Sequence, residues 1–350
     1  MNPRISSLAI ALAISLTTCA NPASAQVVSQ AKTSAGPALT TFGSETILAW
    51  SGISSESANG QTIHKVGYKL YDGAWQPQQI MPYTTINTTA APTLATGEGE
   101  GDSFEHPYLA WRQDDGLIHF AIWDNTTQTF STDDPTVCDG TACETPTSPA
   151  LAGNDTGIFA AWTTSSGTVQ YASRIGAAWT IYSVPVPGVT TKVAPALTSY
   201  NNELYLATVT ADNTIQVEHT HLPLSSSGGS WTQLNSPAAT TTVAPALGQG
   251  FIGSVPWKAG TELFMAWNTG STIDFAWWDG IDWISWPPPL PIPPGPLENY
   301  SPALNDYSEG SCAATYSFNV AYTLGGTDAG QVEWTPVNEV LYEAPSCPKF

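Results

Sequence analysis

"APALTSYNNELYLA", residues 194–207, holds two short apolar runs separated by asparagines, and the chain repeats this arrangement six times. The first run recurs as "GPAL" (36–39), "APTL" (91–94), "SPAL" (148–151), "APAL" (194–197), "APAL" (244–247) and "SPAL" (301–304). The six prolines, 37, 92, 149, 195, 245 and 302, fall 46 to 57 residues apart. The second run recurs as "ILAW" (47–50), "YLAW" (108–111), "FAAW" (159–162), "YLAT" (205–208), "FMAW" (264–267) and "NVAY" (319–322).

A third run alternates in five of the units: "VGYKLYDG", "IHFAIWDN", "VQYASRIG", "IQVEHTH" and "IDFAWWDG". A fourth often opens with tryptophan, at Trp75, Trp179, Trp231 and Trp283. The runs are short, β-branched or aromatic, and bounded by Gly, Asn, Asp, Ser and Thr, which is strand and turn chemistry. No helical periodicity is sustained after the first 25 residues. Four strands per unit with a period near fifty predicts an all-β chain, a six-bladed β-propeller of four-stranded antiparallel blades over residues 26–350. A solenoid would have shorter repeats and terminal caps. The sixth unit is degenerate, with "QVEWTPV" as its third strand, as expected of a closing blade where both chain ends meet. The proline-rich "WPPPLPIPPGPLENY" (286–300) reads as a stiff connection into it.

Alignment of the units explains the crowded "FAWWDGIDW" (275–283). Trp278 aligns with Trp123 and Tyr71, Trp283 with the other fourth-run tryptophans, and Trp267 with Trp50, Trp111 and Trp162. Face-to-face blades bury a middle strand on both sides, so these rings are expected as core. Asp72, Asp124 and Asp279 fall at the turn after the third run, where a carboxylate accepts backbone N–H bonds. Trp257, Trp277, Trp286 and Trp334 have no counterpart.

Residues 1–25 are expected to be a secretory signal. Arg4 precedes the apolar "LAIALAISL" (8–16), and "ASA" precedes Gln26. Processing before Cys19 is the competing reading, with Thr18 a poor fit beside it. The apolar run is too short to span a membrane. Four cysteines follow, and in a secreted chain an even number suggests disulfides, Cys138–Cys143 within "CDGTAC" and Cys312–Cys347 by default. The net charge is −20, with nine Lys and Arg in all. That excludes a nucleic-acid binder, which needs clustered cations, and adhesion to anionic membranes.

The units resemble the S/A-P-A-L … L-Y-x-A-W … D-G-x-x-W repeats of secreted, mostly bacterial and fungal propellers of sialidase-like and lectin-like type. The resemblance spans about residues 36 to 343 and implies the fold. The D-G-x-x-W turn is placed like the Asp-box of sialidases, but the full pattern is missing and "SSSGGSW" (225–231) lacks the aspartate. A sialidase-like enzyme holds its substrate carboxylate with three arginines, and after residue 25 only Arg112 and Arg174 remain. No G-x-S-x-G elbow and no H-E-x-x-H appears.

The expected function is therefore lectin-like binding of extracellular glycans without catalysis or cofactor. A polysaccharide-active hydrolase or lyase and an interaction scaffold stand as alternatives. Comparable clefts on several blades would favour a binder, and one deep central pocket with converging carboxylates an enzyme. The candidate sugar contacts are Trp257, Lys258 and Asp282, with "GQGFIGSVPWKAGTE" (248–262) read as an insertion beside the turn "DGID" (279–282). Arg112 and Asp115 of "WRQDDG" (111–116) form a second candidate. "GEGEGD" (97–102) could gather carboxylates around calcium but lacks regular ligand spacing. "HTH" (219–221) sets two imidazoles on one strand face, open to a metal, and is read as an exposed edge-strand pair.

Overall fold

A computed structural model of the chain describes residues 26–343, apart from 57–61, 82–86, 99–104, 132–142, 177, 256–257, 286–296, 299, 307–312 and 326–330. The described residues contain no helix longer than a single turn and form six antiparallel blades in a ring. Each Pro-Ala-Leu run opens the first strand of a blade: Ala38–Phe42, Thr93–Glu98, Ala150–Asn154, Ala196–Tyr200, Ala246–Val255 and Ala303–Asp306. Successive first strands touch one another around the axis. The face on which these strands begin is called here the proline face, and the other the turn face.

The ring is closed by strand pairing. The fourth strand of blade six is the N-terminal Gln26–Lys32, which pairs with Gln331–Glu343 in the register Gln26↔Trp334. Val28 and Ala31 of this strand are fully buried beside Trp50 and Trp334. Above them Lys69, 2% exposed, donates from Nζ to Ser29 Oγ at 3.2 Å. The expected loop 248–262 is instead mostly strand, because Ala246–Val255 and Lys258–Asn268 form one long hairpin. Its outer part pairs with blade six, Phe251↔Ser317 and Ile252↔Tyr316, so blades five and six share one sheet.

The aligned aromatic residues are core. Trp50, Trp111, Trp162 and Trp267 are buried in the second strands, as are Trp123 and Trp278 in the third. The fourth-strand tryptophans reach back onto the preceding blade. Trp75 meets Trp334, Trp179 meets Phe120 and Trp231 meets Tyr171, each edge to face with centroids 5.2 to 5.4 Å apart. Trp334 is itself core, Trp277 packs partly buried between blades five and six, and Trp257 and Trp286 lie outside the described residues. Asp279 accepts from the Ile281 and Asp282 amides at 2.7 and 2.8 Å, and Asp124 from Thr126 at 2.7 Å.

A further repeat lies four residues before each proline, where five units carry threonine: Thr33, Thr88, Thr145, Thr191 and Thr241, all buried. Each hydroxyl accepts an amide two residues on. The threonine amide in turn donates back to the second-to-third-strand hairpin of the preceding blade, to Gly116, Gly167 and Asn213 among others. The residue after the second-strand tryptophan completes this clamp. Arg112 donates to Thr145 O at 2.6 Å, Thr163 to Val193 O at 3.0 Å, and Asn268 to Glu298 O at 2.8 Å.

Candidate functional site

Six leucines, 39, 94, 151, 197, 247 and 304, one per blade and all buried, line both compartments of the central channel. Toward the proline face the channel is a small apolar space of about 130 Å³, lined by the six Pro-Ala or Pro-Thr pairs. Toward the turn face it widens into a chamber of about 550 Å³. The difference follows from sequence. The residues before each leucine are small, alanine in five blades and Thr93 in blade two, whereas those after it include Thr40, Thr41, Thr96, Thr198, Ser199 and Gln249.

Several of these groups tie the first strands to one another. Thr96 bonds Thr40 Oγ1 and Thr41 O, both at 2.8 Å, Ser199 donates to Gly153 O, and Gln249 donates to Ser199 O at 2.6 Å. The walls are rigid as a result. Asn154, Asn201 and Asn202 stand at the rim, the latter two with φ of 55° and 61° in the tight turn before Glu203. Glu105 and Asp155 also line the chamber, and both are exposed. The rest of the lining is hydroxyl, amide and apolar, so among the described residues these two exposed carboxylates are the chamber's charged groups.

One further cleft, of about 520 Å³, opens on the proline face between blades four and five. It is lined by Asp212, Asn213, Thr240–Thr242 and Asn268–Gly270. The two expectations for clefts are therefore each met in part. Among the described residues a central chamber is present with its carboxylates exposed, and an inter-blade cleft accompanies it.

The residues singled out from sequence do not form one site. Arg112 and Asp115 lie on the proline face of blade two. Arg112 is half-buried with its Nε on the Thr145 carbonyl, while Asp115 accepts from the Leu117 amide at 2.8 Å and faces His119 Nε2 at 3.2 Å. Asp282 lies on the turn face of blade five, exposed, accepting from Asn235 Nδ2 at 2.9 Å. Lys258 begins a strand six residues ahead of the Phe264↔Trp277 pair, about 20 Å of strand, so its backbone stands well beyond the 279–282 turn. Trp257, Cys138, Cys312, Cys347 and most of "GEGEGD" lie outside the described residues, and Cys143 is fully buried.

Sequence reasoning singled out "HTH" but missed the carboxylate that the two histidines face on the turn face of blade four. Glu203 faces His219 Nδ1 at 3.1 Å and His221 Nδ1 at 2.9 Å, and accepts from the Tyr205 hydroxyl at 2.5 Å. The histidines sit on the third of four strands, Ile215–His221, and not on an edge, since His219 pairs with Thr232 of the fourth. Burial acts to raise the Glu203 pKa, but the Tyr205 and His219 bonds and the two imidazoles together hold it below the usual carboxylate range. Beside it Tyr200 donates to buried Glu262 of blade five at 3.0 Å, and burial followed by the Glu262 charge pushes its pKa up to about 12. The signal was present in "E-L-Y", with Glu203 two turn residues from Tyr200 and opposite the H-T-H strand, but cross-strand register is needed to see it.

No family model and no curated protein matches the chain. Among solved structures it is similar to the fucose-specific lectin from Aleuria aurantia, at 13% identity over 89% of this chain and 97% of that one, with a TM-score of 0.56. It is similar to AofleA from Arthrobotrys oligospora, at 12% identity over 93% and 90%, with a TM-score of 0.58. The Hadza microbial sialidase Hz136 shares 14% identity over 86% of this chain and 65% of that one, with a TM-score of 0.56. At these identities the likeness is one of fold, and the fold it identifies is the six-bladed β-propeller.

Proposed function

We propose that the protein is a secreted carbohydrate-binding propeller that takes a neutral sugar in the chamber on its turn face. The observation that carries this reading is the chamber itself. It has hydroxyl and amide walls over a leucine floor, and a volume inside the roughly 300–1,000 Å³ usual for small-molecule sites. A sugar presents hydroxyls at its edge and C–H groups on its faces, and both kinds of surface find partners there. The fold shared with fucose-binding lectins supports the same class of ligand. Secretion after Ala25, with Cys138–Cys143 and Cys312–Cys347 oxidised, belongs to this proposal.

The test is calorimetric titration of neutral mono- and oligosaccharides, chosen from a glycan array, into the wild type and Thr198→Phe. Thr198 lines the chamber, so the ring obstructs it. Binding by the wild type and loss in a folded Thr198→Phe support the reading. Retained binding moves the site elsewhere, and Asp212→Ala, Trp257→Ala, Asp282→Ala and Asp115→Ala then locate it. Release of reducing ends would make the protein a hydrolase.

A further inference from the structure

Taking the chamber as the sugar site, we infer that Glu105 and Asp155 determine its specificity by charge, admitting neutral and ammonium-bearing sugars and shutting out uronic, sialic and sulfated ones. Glu105 opens the second strand of blade two, opposite Glu98, and Asp155 lies in the first hairpin turn of blade three, between Asn154 and Gly157. The two hairpins lie against each other. A Cβ built on Gly97 would stand 2.8 Å from Gly157 O and 3.1 Å from Asn154 N. Both carboxylates therefore bear on the same side of the chamber.

Among the described residues neither carboxylate is held in an ion pair or a hydrogen bond, and no Lys, Arg or His lines the chamber. Arg174, across from Ile158 on blade three, turns its guanidinium to the Tyr108 hydroxyl at 3.3 Å and over the Phe120 ring. An ionised carboxylate accepts hydrogen bonds and donates none. A sugar carboxylate or sulfate in the chamber would thus meet like charge and no cation. The threonine, serine and amide groups of the walls, by contrast, serve a neutral sugar as donors and acceptors alike. An ammonium group gains from the same two carboxylates. The rest of the chain, at net −20, adds a field of the same sign, and a cleft lined by one sign of charge concentrates that field.

The charge of the chamber can be read without any sugar. Thr198→Cys puts a thiol in the chamber beside Ser199, whose hydroxyl bonds Gly153 O of blade three, and Thr41→Cys on blade one gives a second position should the first not fold. Each thiol is modified at low ionic strength with two methanethiosulfonates, one carrying an ethyl trimethylammonium tail and the other an ethyl sulfonate. The mass of the peptide that carries the new cysteine gives the two rates, and their ratio is normalised to that for 2-mercaptoethanol. One carboxylate at roughly 10 Å in water changes the rate for a unit probe charge about twofold, so two carboxylates acting on opposite probes favour the cation by roughly tenfold or more. Glu105→Gln with Asp155→Asn should lower the ratio by about that factor, and sodium chloride at about 0.5 M should lower it as well. Glu144→Gln, exposed beside Thr145 on the proline face, should leave it unchanged. On a glycan array the ligands that Thr198→Phe loses should be neutral or amino sugars. A normalised ratio near one, a ratio that the double substitution leaves unchanged, or acidic glycans among those lost ligands overturns the charge selectivity. An array without ligands overturns the sugar reading itself, which the thiol rates do not touch.

Discussion

Replacing Gly153 by alanine would force a methyl group between the first strands of blades two and three. A Cβ built there stands 2.6 Å from the carbonyl carbon of Thr96 and 2.8 Å from Ile158 Cδ1, with the Thr96 carbonyl oxygen nearer still. Ordinary contact begins at 3.4 Å, so the two strands must part by roughly an ångström. The isoleucine tip can turn aside, but the carbonyl belongs to a paired strand and cannot. Parting the strands strains the Thr96 bonds to Thr40 and Thr41 and moves the carbonyl on which Ser199 donates. Overpacking costs about 1–3 kcal/mol and one hydrogen bond about 1 kcal/mol more, for a total of about 2–4 kcal/mol. In a chain of this size that lowers the thermal midpoint by about 4–8 °C. Differential scanning calorimetry measures it, with Gly43→Asn as the control. Gly43 has a φ of +58°, which asparagine tolerates, and nothing within 4 Å. A Gly153→Ala midpoint within about 1 °C of the wild type would refute close packing of the inner strands.

Three other outcomes are expected. A chain beginning at Thr33 lacks the closing strand and uncovers the core beside Trp50 and Trp334, so urea titration should show a loss of at least about 3 kcal/mol. Asn268→Ala removes the donor to Glu298 O and Tyr300 O and the acceptor for Gly270 N, and should cost about 2–3 kcal/mol in the same assay. Glu218 is 4% exposed, and its burial raises its pKa. Its ionisation therefore weakens the fold as pH rises from the ordinary carboxylate range through the raised value. Glu218→Gln should gain stability over the wild type at pH 7 and lose that advantage below about pH 4. A stability difference independent of pH would count against it.

The blade count was legible because proline, the small residues and leucine recur where each first strand must begin, and the axis has room for one leucine per blade. The core was legible because Trp50, Trp111, Trp162 and Trp267 share one position in the period. Ring closure was not, since nothing in "QVVSQAK" (26–32) says that its partner lies 300 residues away. The long hairpin of blade five is an insertion by alignment of the units, and its strand character rests on pairing with blade six, which the repeat pattern does not show. The shared role of Arg112, Thr163 and Asn268 in one clamp was not legible, because it needs the neighbouring blade in place. Glu203 and the two histidines come together through register alone, and single-strand patterns carry no register.

The borrowed N-terminal strand of blade six bears on the order in which the chain can fold. Residues 26–32 are made about 300 residues before their partner, Gln331–Glu343. Through most of synthesis the strand's hydrogen-bonding edge and its Val28 face have nothing to dock on, while blades one to five, each built from consecutive hairpins, can form as they emerge. Pairing of these two strands is thus a late step, and it brings in contacts about 300 residues apart in sequence. Until then the ring is an open arc with two unsealed sheet edges, and such edges are where one chain can pair with another. Aggregation of newly made protein should therefore track the lifetime of that arc and not the stability of any single blade.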